Sequence, residues 1–204
     1  MFSNQDESNQ FAKIAKDLRY HSIVCTEPLL CSKPISQKKI FGVRYVLENT
    51  NIDRVAVVDV DSIFTKTVDY DFFFADKLSK NTLYASYVNN KGMVENVGRA
   101  AAAKFFNKQD YSILREKLSD FTAYFWFNDI PIYDRNHFFN FLDYINYSES
   151  VAKLEYTTFD FILYAYYLII HNLIQIETIN VNGVEPPIQP HGSFLEAQLH
   201  IDPV

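Results

Sequence analysis

The chain has 204 residues, 48% of them hydrophobic and 16% aromatic, and carries a formal net charge of -6. That length sustains one sizeable core and favours a single domain over 1–204, while the acidic balance offers no basic footprint for neutralising nucleic-acid phosphates. Only 5 glycines are present, fewer than the ~7% of average usage, which argues against a glycine-rich phosphate loop.

The longest apolar run, 161–170, is far shorter than the ~20 residues a membrane span requires. The amino-terminal "MFSNQDESNQ" turns polar at its third residue, so no signal peptide and no transmembrane segment are expected. Cys25 and Cys31 lie six apart, a spacing that fits neither a CxxC redox motif nor a zinc knuckle. They read as reduced thiols of a cytoplasmic protein.

In chain order, Phe11, Ile14, Ala15 and Leu18 recur at helical spacing within 8–20, and "HSIVCTEP" reads as a short strand ended by Pro28. Ser36 is a plausible N-cap for a helix over "QKKIFGVRYVLEN", with Ile40, Val43 and Leu47 on one face. The strand "RVAVVDVDSIF" follows. Helix, strand, helix, strand is how a parallel sheet covered by helices appears in sequence. Beyond a phenylalanine cluster at 72–74, "TLYASYV" reads as a strand and "NNKGMVENVG" as a polar connection. Helices are expected over "RAAAAKFF" and "DYSILREKLSDF", and two short strands around Pro131. A helix with Phe138, Phe141, Leu142 and Ile145 on one side comes next, then a longer helix over 159–173. "IQIETINV" closes the series as a strand, ahead of a proline-punctuated tail.

The chemistry concentrates where the stretch 55–60, five of its six residues apolar, closes on Asp59 and Asp61. Alternate strand positions share a face, so the two carboxylates project together, about 7 Å apart at Cβ. At the carboxyl end of a strand, where open α/β sheets bind ligands, such a pair suits a hard ion, Mg²⁺ or Mn²⁺, whose remaining positions are filled by substrate phosphates. The simpler alternative is that each Asp caps the following turn through its own short side chain.

The segment "IDRVAVVDVDSIFTKTVD" resembles the Asp-X-Asp segment of GT-A-type glycosyltransferases. "SQKKIFGVRYVLEN" is similar to the lysine-bearing helix ahead of it in bacterial-type sugar transferases, and "FNDIPIYDRNHFFNFLDYI" and "TTFDFILYAYYL" look like the acceptor-side half. The resemblance spans roughly 2–181. It implies a GT-A-like, Rossmann-related, mostly parallel sheet flanked by helices, with residues 2–95 as the nucleotide-sugar half and 96–204 as the acceptor half and tail. Only "MFSN" precedes the first helix, so the family's first strand is expected to be short or missing. The implied activity is transfer of a sugar from a nucleotide-sugar donor to an acceptor hydroxyl, dependent on Mn²⁺ or Mg²⁺. Asp59, Asp61 and His191 would hold the metal; Lys39, Asp59 and Asp61 would bind the donor.

For the catalytic base the candidate is Asp160, which begins a stripe of Asp160, Tyr164, Tyr167 and His171 along one helix. Its alternative role is at the helix N-terminus, where an acid suits the dipole. Trp126 and the tyrosines offer faces for sugar stacking, though in so aromatic a chain most belong to the core. Two other readings remain open: a non-catalytic transferase-like binding domain, and a haloacid-dehalogenase-type phosphatase with Asp59 as nucleophile and Asp61 as acid/base.

Overall fold

A computed structural model describes residues 1–14, 22–58, 62–64, 81–87, 91–125, 131–178 and 199–201. The chain is a mixed α/β protein with short sheets. Its contacts group into two compact units, one of Met1–Val55 with Tyr133–Asp160 and the other of Ala56–Ile132 with Phe161–Val204. Each of the halves expected from the sequence, 2–95 and 96–204, is therefore distributed over both units.

The first unit opens with a strand stub. The Phe2 N–H donates to the Ile23 carbonyl and the Cys25 N–H to the Phe2 carbonyl, both at 2.9 Å, making one parallel bridge between Phe2 and Val24. The expected short first strand and the strand read over "HSIVCTEP" meet in this single bridge. Helix α1, Gln5–Ile14, begins earlier than the apolar spacing alone indicates. Asn4 Oδ1 accepts from the Glu7 N–H and Glu7 Oε2 from the Ser3 N–H, which satisfies donors that an uncapped first turn leaves orphaned. Phe2 and Phe11 pack with ring centroids 5.4 Å apart.

Helix α2 is Pro34–Asn49, with Lys33 in the N-cap position and no side-chain cap. The expectation that Ser36 caps this helix is thus corrected. Proline at the first helical position has its φ already set and no N–H to satisfy, so the helix starts before Ser36, which lies inside the first turn and is 1% exposed. Ile40, Val43 and Leu47 form the buried face as expected. The far end of α2 is fixed by Arg135, whose guanidinium donates to the carbonyls of Leu47, Thr50 and Ile52. These include acceptors that a helix C-terminus leaves unpaired.

Of "RVAVVDVDSIF", residues 54–58 and 62–64 are described, and its start forms strand β1, Arg54–Ala56. It pairs with β5, Ile132–Asp134. The Arg135 N–H donates to the Asp53 carbonyl and the Val57 N–H to the Pro131 carbonyl, so one strand's numbering rises as the other's falls and the pair is antiparallel. Asp134 then N-caps α5, Arg135–Tyr144, accepting from the N–H groups of Asn136 and His137. The face of α5 bearing Phe138, Phe141 and Leu142 is buried, as the periodicity indicates, and Tyr133 meets Phe138 edge-to-face at 5.5 Å. A short helix α6, Tyr147–Ser150, and a 3₁₀ turn, Val151–Lys153, lead toward the next helix.

The second unit holds a three-stranded sheet in the order β4-β3-β6. Strand β3, Thr82–Tyr87, runs parallel to β6, Gln175–Thr178, and antiparallel to β4, Ala123–Tyr124. A separate antiparallel pair joins β2, Ser62–Phe64, to β7, Leu199–Ile201. The polar connection expected around 89–98 is corrected in its second part, because helix α3 runs over Lys91–Lys104. Val94, Val97 and Ala101 are buried at spacings of three and four, while Glu95 and Arg99 pair on the exposed side. Helix α4, Lys108–Lys117, carries a reciprocal capping box between Asn107 and Asp110. Helix α7, Asp160–Ile170, is buried at every position, the signature of a helix that is apolar all round. Tyr164 and Tyr167 are therefore core residues, while His171 beyond the helix is exposed.

After α4 the chain turns through Ser119, Asp120 and Phe121, all at positive φ (49, 55 and 61°), with Asp120 bonded to Arg115 at 2.7 Å. This turn places the fully buried Phe121 ring against Gly98 of α3 and 5.3 Å from the Tyr111 ring. A Cβ at Gly98 would stand 2.3 Å from Phe121 Cε1. Alanine in a helix gains ~1 kcal/mol of propensity over glycine, but overpacking a fixed ring costs about 1–3 kcal/mol. Gly98→Ala is therefore expected to lower stability, read as a lower urea midpoint. An unchanged or higher midpoint would show that the ring yields freely.

Candidate functional site

The described site is built around Asp160, the first residue of α7, which is 3% exposed. Its Oδ2 accepts from the Tyr133 hydroxyl at 2.8 Å, and the Ser36 hydroxyl bonds it as well. Tyr133 and Ser36 are each 1% exposed. Three residues of the first unit thus converge: Tyr133 from β5, Ser36 from the first turn of α2, and Asp160 itself. Lys39 lies three residues after Ser36, so the two share one face of α2, and its ammonium acts electrostatically on Asp160. The turn before α7 is stabilised separately, by Thr158, whose hydroxyl accepts from the Glu155 N–H and donates to the Lys153 carbonyl.

Burial pushes the Asp160 carboxyl above its ordinary 3.8, against the opposing pull of the Lys39 ammonium and of the Tyr133 and Ser36 hydroxyls. Desolvation disfavours the charged form, whereas an adjacent cation and hydroxyl donors favour it. The outcome is a carboxyl that retains its proton to higher pH than an exposed one. It is held between two hydroxyls and beside an ammonium, an arrangement suited to storing or accepting a proton in a dry site.

Of the residues singled out from the sequence, Lys39 and Asp160 are brought together in the first unit. Asp59, Asp61, His191 and Trp126 lie outside the described residues. Among the described residues no group of three or more His, Cys, Asp or Glu side chains is placed to hold a metal ion. Neither Tyr133 nor Ser36 is marked by the sequence as a partner of Asp160. The only signal in the sequence is that Ser36 precedes Lys39 by one helical turn. No family model, curated protein or solved structure matches the chain.

A folded-state value above the unfolded one means that Asp160 contributes its full stability below about pH 3.8 and loses it as pH rises through the folded-state value. Asparagine mimics the neutral acid and does not titrate. The stability of wild type relative to Asp160→Asn, from urea unfolding at a series of pH values, is expected to fall as pH rises from about 4 and then level off. A difference independent of pH would contradict the assignment.

Proposed function

We propose that this chain is a GT-A-like sugar-transferring domain that moves a sugar from a nucleotide-sugar donor to an acceptor hydroxyl with the help of a divalent cation. The observation that carries this reading is the Asp-X-Asp at Asp59 and Asp61, which closes an apolar run downstream of the lysine-bearing helix. The mixed α/β organisation, the parallel β3–β6 pair and the parallel Phe2–Val24 bridge support it.

In this reading Asp59 and Asp61, with His191 from the tail, are the residues that would hold Mn²⁺ or Mg²⁺. The ion would supply Lewis-acid stabilisation to the leaving nucleoside diphosphate. Asp59 and Asp61 also bind the donor, and Lys39 contributes a positive charge toward its phosphates. Asp160 is the proposed base for the acceptor hydroxyl, its raised pKa bringing a carboxylate nearer to the range in which a general base works at neutral pH.

One observation favours a second reading, a transferase-like domain that binds a partner or sugar without turnover and without metal-dependent nucleotide binding. Asp160 is 3% exposed and already bonded to two hydroxyls, which is the environment of a structural carboxyl as much as of a base.

Thermal unfolding with Mn²⁺ and a panel of UDP-, GDP- and CMP-linked sugars separates the two. A donor at 100 times its dissociation constant adds about 2.7 kcal/mol to the folded state, so one nucleotide is expected to raise the melting temperature in a metal-dependent way, and Asp61→Ala is expected to abolish that shift. No shift with any donor would contradict the transferase reading.

A further inference from the structure

We infer that Cys25 and Cys31 are a redox-sensitive pair, closed into a reversible disulfide by a small disulfide such as glutathione disulfide, and that the state of the pair is felt at the first turn of α2. This inference is independent of the proposed sugar transfer. Both thiols are free and buried, and they bracket residues 26–30, of which Leu29 and Leu30 are exposed. The chain between them is gathered by one side chain. Gln37, itself buried, donates to the Pro28 carbonyl at 2.7 Å and accepts the Leu30 N–H at 2.9 Å. The Cys31 sulfur lies 3.6 Å from the same Gln37 Oε1, and at the other end the Cys25 thiol turns toward the Glu27 carbonyl at 3.8 Å.

The two thiols share one neighbour, the Tyr147 hydroxyl on α6. Burial pushes that phenol up, and Glu27, Arg44, Cys31 and Cys25 all act on it electrostatically, which puts both sulfurs close to the same oxygen. Ser32, next to Cys31, donates to the Leu154 carbonyl shortly beyond α6, so the two segments also meet through the backbone. The Tyr147 hydroxyl is buried without a hydrogen-bond partner, and an unpaired buried donor calls for a role. It is placed to donate to a thiolate formed beside it, and the thiolate is the form that reacts.

In the reaction one cysteine thiolate attacks a sulfur of glutathione disulfide, and a glutathione thiolate leaves. The second cysteine then attacks the protein-side sulfur of the mixed disulfide, the Cys25–Cys31 bond forms and the other glutathione leaves. Two electrons pass from the cysteines to glutathione, and the two thiol protons end on the two glutathione thiols. The consequence reaches α2 through Lys33. Its carbonyl accepts from the Cys31 thiol at 3.1 Å and from the Ser36 N–H, also at 3.1 Å. A disulfide has no S–H, so oxidation withdraws one of these two donors and alters the turn from which Ser36 meets Asp160.

Mass spectrometry of the full chain, equilibrated in glutathione buffers of stepped ratio with and without urea, tests this. The internal disulfide, read as a loss of two hydrogens that dithiothreitol reverses, is expected to have an equilibrium constant about tenfold or more higher in the folded chain than in urea, because the fold raises the effective concentration of one thiol at the other. Hydrogen exchange at the Ser36 amide is expected to differ severalfold between the reduced and oxidised chains. The inference is overturned by a folded-state constant no greater than that in urea, or by glutathione adducts or disulfide-linked dimers in place of the internal bond. An oxidised chain whose Ser36 amide exchanges as in the reduced chain would overturn the link to α2.

Discussion

The first unit is organised by one buried carboxyl. Taking Asp160 out of water is unfavourable unless its oxygens find donors, and those donors come from parts of the chain remote in sequence, Tyr133 being 27 residues away and Ser36 farther still. Satisfying it fixes the first turn of α2, the β5 strand and the first residue of α7 against one another. The same turn of α2 that supplies Ser36 also carries Gln37, which orders loop 28–33, and is followed by Lys39. A structural requirement at one atom therefore sets the position of both the charged site and the exposed apolar loop.

Arg135 performs the complementary task at the other end of α2. By donating to three successive regions of backbone at Leu47, Thr50 and Ile52, it holds the connection that delivers the chain into β1. β1 is launched from this anchored point. The aromatic wealth of the sequence is spent differently in the second unit, where Phe125 meets Phe161 and Tyr166 edge-to-face, each at 6.0 Å. Such pairs add modestly to area burial and favour defined ring geometry.

Elements whose apolar residues repeat at helical spacing were legible. The buried faces of α2 and α5 are those the periodicity indicates, and the short strands on either side of Pro131 are present as β4 and β5. The start of α2 is ambiguous in sequence because Ser36 satisfies the cap preference while Pro34, two residues earlier, satisfies the stronger geometric condition at the first helical position. The helix over residues 91–98 is hidden because Glu95 and Asn96 are polar and two of the eight residues are glycine, leaving Met93, Val94 and Val97 to carry the pattern there.

The site was half legible for a similar reason. Lys39 and Asp160 have charge, which invites a functional question at once. Tyr133 and Ser36 are ordinary residues whose importance arises from where the fold puts them, and sequence periodicity carries no information about contacts across such separations. The left-handed turn at Ser119, Asp120 and Phe121 was equally hidden, since none of the three is glycine and Gly98, the residue that accommodates the Phe121 ring, lies on another helix.

The measurement that bears most directly on the central claim is a Mn²⁺ titration followed by electron paramagnetic resonance, with and without a nucleoside diphosphate, on wild type and on Asp59→Asn with Asp61→Asn. The account predicts that free-ion signal is lost on addition of wild-type protein, that the diphosphate tightens this binding, and that the double variant leaves the ion in solution. Equal binding by wild type and variant, or none by either, would contradict it.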